Sequence, residues 1–339
     1  MKSPRILVFM RTKNSGRGLS RDHFVGRPKS TRSIPASTKK VAHPRPPRDW
    51  VAQNARLVAR GDVDIWVDWN DLAGRGEGRG AGSGRPYPVT MIQLIVVLMA
   101  LANLTLREAE GRITCEMRRL GVIDQAPDYS TICRRRRALE WRPPRLRKGQ
   151  VIVIDATGIT VRATGPWLYA KSKDKRRARF VKLHACIDQQ TGEFLSFVVT
   201  PGDGAGTGDV SVGPRLIREA GKVNEDPAGV LADRAYDAKS CYVAAEDTGC
   251  TLYAVPKDNA ARGLHPDRDT HLDQIGRIGP PAWKKRVGYG QRSQVESAFS
   301  ALKRVMGDRT RARSFEGAVA EVASRIWLYN QMLEKYPIR

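Results

Sequence analysis

Tyr289, Arg292, Glu296 and Lys303 set one acid between an aromatic and two cations, at steps of three, four and seven residues. Such steps bring side chains onto one stripe of an α-helix. Val295, Phe299, Leu302 and Met306 make a neighbouring apolar stripe, so the helix is expected to pack on a core and hold its polar stripe at the edge. A carboxylate between cations suits a site that holds metal and handles phosphate, because the acid ligates the metal and the cations bind phosphate oxygens. The same spacing also describes an ordinary amphipathic helix with a Glu–Lys face.

Two acids upstream weigh on that choice. Asp155 follows the unbroken apolar run Val151, Ile152, Val153 and Ile154, and Asp233 ends the run Gly229, Val230, Leu231 and Ala232. Runs of this kind fill central strands, and a carboxylate inside a sheet is costly unless paired or bound to metal. At the strand ends of an open α/β sheet, acids line the crevice in which ligands bind. Each aspartate alone also reads as a turn or helix-cap residue. Two of them beside the Glu296 stripe point to one site.

Asp155, Asp233 and Glu296 together resemble the DDE triad of transposases with an RNase H-like fold. The spacing from Tyr289 through Arg292 and Glu296 to Lys303 is similar to the YREK signature of bacterial insertion-sequence transposases. Asp155-Ala156-Thr157-Gly158, Lys182-Leu183-His184, the segment from Asp233 to Asp237, and Met306-Gly307-Asp308-Arg309 resemble the insertion-sequence-five family, as does Pro127-Asp128-Tyr129-Ser130-Thr131. The likeness spans roughly residues 47–334. Arg234 departs from it, standing where a small residue is more usual, and bears on access beside the triad.

The resemblance implies metal-dependent cleavage at the ends of an insertion sequence and transfer of the freed 3′-hydroxyl into target DNA. It also implies two Mg²⁺ or Mn²⁺ ions held by Asp155, Asp233 and Glu296, with Asp155 bridging both; softer metals would favour His or Cys. Tyr289, Arg292 and Lys303 are then expected to hold phosphates beside the scissile bond, Arg292 being best suited through its bidentate fork. Lys182 is expected to contact DNA as well. The implied partner is double-stranded DNA, as terminal inverted repeats and as target, and synapsis of two ends implies a homodimer or higher oligomer. Two other functions stay open: a non-enzymatic DNA-binding protein using the same basic surfaces, and a metal-dependent nuclease without strand transfer.

Composition favours the same partner. The 339 residues carry 59 basic against 35 acidic side chains, a formal charge of +24, which calls for an anionic partner, nucleic acid first. A membrane is not expected, since the longest apolar run, 91–104, is interrupted by Gln93 and Asn103 and is too short to span a bilayer. Five cysteines without C-x-x-C spacing signal neither a disulfide framework nor a zinc site, which fits a reducing cytoplasm and, for a prokaryotic DNA enzyme, the nucleoid.

The elements that must position these residues fall into three stretches. Residues 1–45 hold twelve Lys or Arg and one acid, Asp22, and read as a disordered basic tail, either a DNA-contacting arm or an upstream extension of the reading frame. Residues 46–144 read as a small all-α DNA-binding region with helices over 50–60, 90–101, 106–120 and 130–141, interrupted by a Gly- and Arg-rich stretch at 74–84. The last helix carries Arg134, Arg135, Arg136 and Arg137. It suggests a helix-turn-helix-like reader, phosphate contact by the arginines being the plainer expectation.

Pro143 and Pro144 mark the boundary, and 145–339 change texture. Strands are expected over 151–161, 180–188, 194–200, 229–233 and 252–256, with helices over 210–220, 238–248 and 316–334. This predicts an α/β fold with an RNase H-like mixed sheet flanked by helices. The segment 257–288 reads as irregular, with His265 and His271 on a solvated loop. His184 is expected as a donor to a catalytic carboxylate or as a satisfied core histidine. Trp283 reads as core packing, with stacking on an unpaired base as the alternative, and 171–179 as a basic loop against DNA.

Overall fold

The computed structural model describes residues 49–59, 61, 87–121, 126–139, 147–161, 180–202, 207–257 and 259–335. The expected basic tail, the stretch at 74–84, the prolines at 143–144 and the basic loop at 171–179 lie outside the described residues.

Among the described residues, four helices come first: α1 (Trp50–Ala59), α2 (Val89–Leu101), α3 (Leu106–Arg119) and α4 (Tyr129–Arg137). α2 is apolar on nearly every face and buries Ile92, Ile95 and Val97 completely, as a core helix does. Among the described residues, no single helix is long and apolar enough to cross a membrane. A capping box starts α3: the Thr105 side chain accepts from the Glu108 amide at 3.3 Å, and the Glu108 carboxylate accepts from the Thr105 amide at 2.6 Å. Asp128 starts α4 by accepting from the amides of Ser130 and Thr131 at 2.8 and 3.0 Å.

The sheet and its helices follow. They are β1 (Arg147–Lys148), β2 (Val151–Val161), β3 (Phe180–Asp188), β4 (Phe194–Pro201), α5 (Asp209–Gly221), β5 (Asn224–Glu225) and β6 (Gly229–Ala232). Then come α6 (Lys239–Asp247), β7 (Leu252–Ala254), α7 (Pro266–Ile278), α8 (Pro280–Arg286), α9 (Ser293–Met306), β8 (Arg309–Thr310) and α10 (Phe315–Lys335). The main sheet runs β4-β3-β2-β6-β7, with β8 beside β2, while β1 and β5 pair separately. β4, β3 and β2 are antiparallel neighbours, and β6 and β7 continue the sheet in parallel. Three antiparallel strands leading into two parallel ones are the mixed, helix-flanked sheet that the RNase H-like expectation requires.

Strand periodicity sorts the side chains. Val153, Ile159 and Val161 of β2 join a cluster with α9 and α10, whereas Ile152 and Ile154 join another with α5 and α6. The register pairs Asp155 with Ala185 and Ala156 with His184, so Asp155 belongs to the α9 face and His184 to the α5 face. Met91, Ile95, Ile113 and Ile132 belong to the α9–α10 cluster as well, so α2, α3 and α4 share one core with the sheet.

Two expectations are corrected. The segment read as irregular contains α7 and α8, whose prolines stand at helix starts, where a missing N–H is harmless. α7 buries only Arg268 and His271, so no apolar period announces it. The second correction concerns the opening stripe: Tyr289–Arg292 forms a 3₁₀ turn, and the α-helix begins at Ser293.

Candidate active site

Parallel pairing of β2 with β6 aligns Ile154 with Ala232, which carries Asp155 and Asp233 to the same level on adjacent strands. Asp155 accepts from the Ala156 amide at 2.8 Å. Burial pushes its carboxyl above the ordinary range and the Asp233 charge adds to this, while the Ala156 amide and Arg292 pull the other way. Asp233 caps a 3₁₀ turn, Arg234–Tyr236, accepting from the Ala235 amide at 2.8 Å.

The third acid arrives from α9. Val295, Phe299, Leu302 and Met306 are buried as the apolar stripe predicts, which leaves the Glu296 side chain 60% exposed at the edge. Arg292 joins it to the sheet: one guanidinium nitrogen donates to Asp155 Oδ2 at 2.9 Å and another to Glu296 Oε1 at 2.8 Å. The acids outweigh burial and raise the Arg292 pKa. Gly288, at φ 66°, makes the left-handed step into this turn, which a side chain would strain. Tyr289 then donates its hydroxyl to the Ala232 carbonyl at 2.8 Å, and Lys303 donates to Thr157 Oγ1 at 2.7 Å. Asp155, Thr157, Glu296, Ser300, Lys303 and Asp308 line an open cleft of about 560 Å³.

Among the described residues, no three His, Cys, Asp or Glu side chains are already gathered to hold a metal; Arg292 lies between two of the acids instead. The donor set still fits a hard divalent cation, being all carboxylate. A half-buried acid whose charge is opposed by burial and by a second acid is a place where positive charge is favourable.

Several expected residues have other partners. His184 lies on the sheet face opposite Asp155, its ring nitrogens 3.0 Å from Asp209 Oδ1 and 3.0 Å from Thr200 Oγ1, so it touches no acid of the triad. Lys182, two residues away on the same face, is paired with Asp209 at 2.9 Å. Of the four arginines on α4, Arg134 and Arg137 are exposed and Arg136 is buried. Arg135 donates to the Tyr87 carbonyl. An arginine at every position of a helix cannot face one duplex. His265 and His271 are buried rather than solvated: His265 caps α7 and stacks on Tyr242, and His271 packs on Trp283. Trp283 is fully buried, as the packing reading requires.

Sequence reading missed Asp209, the first residue of α5. It gathers Lys182, His184 and, at 3.4 Å, the Tyr236 hydroxyl. Its signal was an acid at a helix start, favourable to the helix dipole. Burial would raise its pKa, but hydrogen bonds from His184 and Lys182 and their charges win and lower it to about 2. A depressed folded-state pKa contributes stability above the unfolded value that is lost as pH falls through the folded one. Asp209→Asn should therefore lower stability at neutral pH by about 2 kcal/mol. It should also flatten the loss of stability between pH 4 and about 2, checked by urea unfolding across that range. Wild-type stability independent of pH there would contradict this. Gly213 lets α5 lie against the same tyrosine, since a Cβ there would come within 2.8 Å of the Tyr236 ring.

A solved structure similar to the chain is the piggyBac transposase in a cryo-EM synaptic complex with hairpin DNA, at 12% identity and a TM-score of 0.38 over 82% of this chain and 74% of that one. Two family models described as transposase DDE domain match, one over residues 58–164 and one over residues 146–331. The second spans more than half of the sequence, and with it the chain belongs to the transposase DDE domain family.

Proposed function

We propose that the chain cuts DNA at the ends of an insertion sequence and joins the freed 3′-hydroxyl to target DNA. What supports the reading is that Asp155 and Glu296 line one cleft and are bridged by Arg292, with the Asp233 charge acting on Asp155 from the adjacent strand. Asp155, Asp233 and Glu296 would hold two Mg²⁺ or Mn²⁺ ions. When bound, such ions supply activation of the attacking oxygen and stabilisation of the leaving oxygen.

The remaining steps belong to the chain's own residues. Arg292 holds Asp155 and Glu296 in register before DNA arrives, and its planar fork can exchange a carboxylate for phosphate oxygens without loss of geometry. Lys303, on the cleft wall beside Thr157, offers a point charge to the sugar–phosphate backbone. Tyr289 acts from behind: its bond to Ala232 ties the Arg292 turn to the strand that presents Asp233. The triad is expected to work in the cytoplasm of a prokaryote on nucleoid DNA, as a homodimer or larger assembly that brings two ends together.

The test incubates the protein with its element's end DNA, a target plasmid and Mg²⁺, beside Glu296→Gln. Joined products that disappear in the variant support the proposal. Cleavage without joining would instead identify a nuclease, and a footprint with neither a non-enzymatic binder. Full activity in Glu296→Gln would remove that residue from the site.

A further inference from the structure

A second cleft, of about 1070 Å³, lies where the N-terminal helices meet α10, and seven arginines line it against two glutamates. Arg136 on α4 is 6% exposed there, and among the described residues neither its Nε nor the buried Nε of Arg311 has a hydrogen-bond partner. A buried donor left without an acceptor is costly, the more so on a charged group. Burial lowers the Arg136 pKa most; Glu321 and Cys133 oppose that, and Arg137 and Arg325 add a smaller push in the same direction as burial.

The same stretch of chain links this cleft to the catalytic one. Asp308 lines the catalytic cleft, while Arg311 and Arg313, a few residues on, line the second. Arg325 of α10 holds the stretch by donating to the carbonyls of Gly307 and Arg309 at 3.1 and 2.6 Å. Arg137 fastens its far end through Ser314 Oγ at 3.0 Å. Residues 308–313 therefore run from the wall of one cleft to the wall of the other.

We propose that this cleft seats backbone phosphates of the duplex whose cut end lies in the catalytic cleft, with the buried Arg136 and the half-buried Arg311, which Glu108 holds at 3.4 Å, as the inner contacts and Arg134 and Arg137 as the outer ones. The proposal rests on the DNA-processing function above and gives it a second, non-catalytic anchor. Phosphate contacts position a duplex without reading its bases, so the cleft should bind without regard to sequence.

The experiment measures binding of a duplex of about 30 base pairs and arbitrary sequence by fluorescence anisotropy, in chelator, over roughly 50–200 mM salt. Each phosphate neutralised contributes about 0.9 to the slope of log affinity against log salt. Arg134→Gln/Arg137→Gln, both exposed and expected to fold, should lower the slope by about 2. Arg218→Gln on α5 with Lys222→Gln at its C-terminal cap removes the same charge elsewhere and should leave it unchanged. An unaltered slope in the first pair, or an equal fall in the second, would overturn the cleft. So would tight binding of inorganic phosphate that Arg136→Lys abolishes while duplex binding keeps its slope. Wild type that shows these slopes yet neither cuts nor joins DNA with Mg²⁺ would retire the catalytic reading and leave the cleft standing. Wild type that joins DNA while the first pair keeps its full slope would retire the cleft alone.

Discussion

Asp155→Asn is expected to slow metal-dependent cleavage and joining on the order of 10³-fold while leaving the melting temperature unchanged or slightly higher. The first half follows from its place: it feels the Asp233 charge and accepts a bond from the Arg292 bridge at 2.9 Å. Removing a charge that holds metal forfeits several kcal/mol of transition-state stabilisation. The second half follows from its burial, which already disfavours the ionised acid. An amide of the same shape relieves that penalty, and Arg292 keeps Glu296 as a partner. Stability gained where activity is lost marks a side chain kept for chemistry. Joining rates measured beside calorimetric unfolding check both halves; activity within tenfold of wild type would contradict the assignment.

Arg268→Ala is expected to destabilise the fold by about 3–5 kcal/mol, the usual consequence of leaving one partner of a buried ion pair alone. Asp237 is fully buried and receives two donors from the guanidinium, Nε at 2.7 Å and Nη2 at 2.9 Å. The Tyr242 hydroxyl and the Lys257 amide, each at 3.2 Å, complete its shell. Removal of the arginine leaves a carboxylate with neutral donors only. Asp237→Ala/Arg268→Ala should be less destabilised than Arg268→Ala alone, because no buried charge is then unpaired. Asp237 also closes the turn that Asp233 opens, so the single variant should lose activity even below its melting point. Denaturant midpoints decide the matter, and a loss under about 1 kcal/mol would show the pair to be dispensable.

How much of this was legible depended on whether burial left a pattern. β2 and β3 lie where continuous apolar runs placed them, and Asp155 and Asp233 stand out because each interrupts such a run. The stripe on α9 was readable for the same reason: its core side is Val295, Phe299 and Leu302. α7 was not, because its buried face is Arg268 and His271, bound to Asp237 and to the Leu252 carbonyl. Polar burial depends on a partner far along the chain and leaves no period behind it. The face taken by His184 illustrates another limit. Its strand was correctly placed, but only the register with Ala156 shows that it turns toward Asp209. Likewise the spacing of Arg292 and Glu296 was plain, while the bridge to Asp155 spans 137 residues.

The most direct measurement compares joining of end DNA to a target plasmid by wild type, the single variants Asp155→Ala, Asp233→Ala and Glu296→Ala, and the triple variant. Residues that act as one unit are not additive. Each single variant should therefore fall to the level of the triple, with binding to end DNA retained throughout. Joining by any single variant at a rate near that of wild type would show that the three acids do not form one catalytic centre.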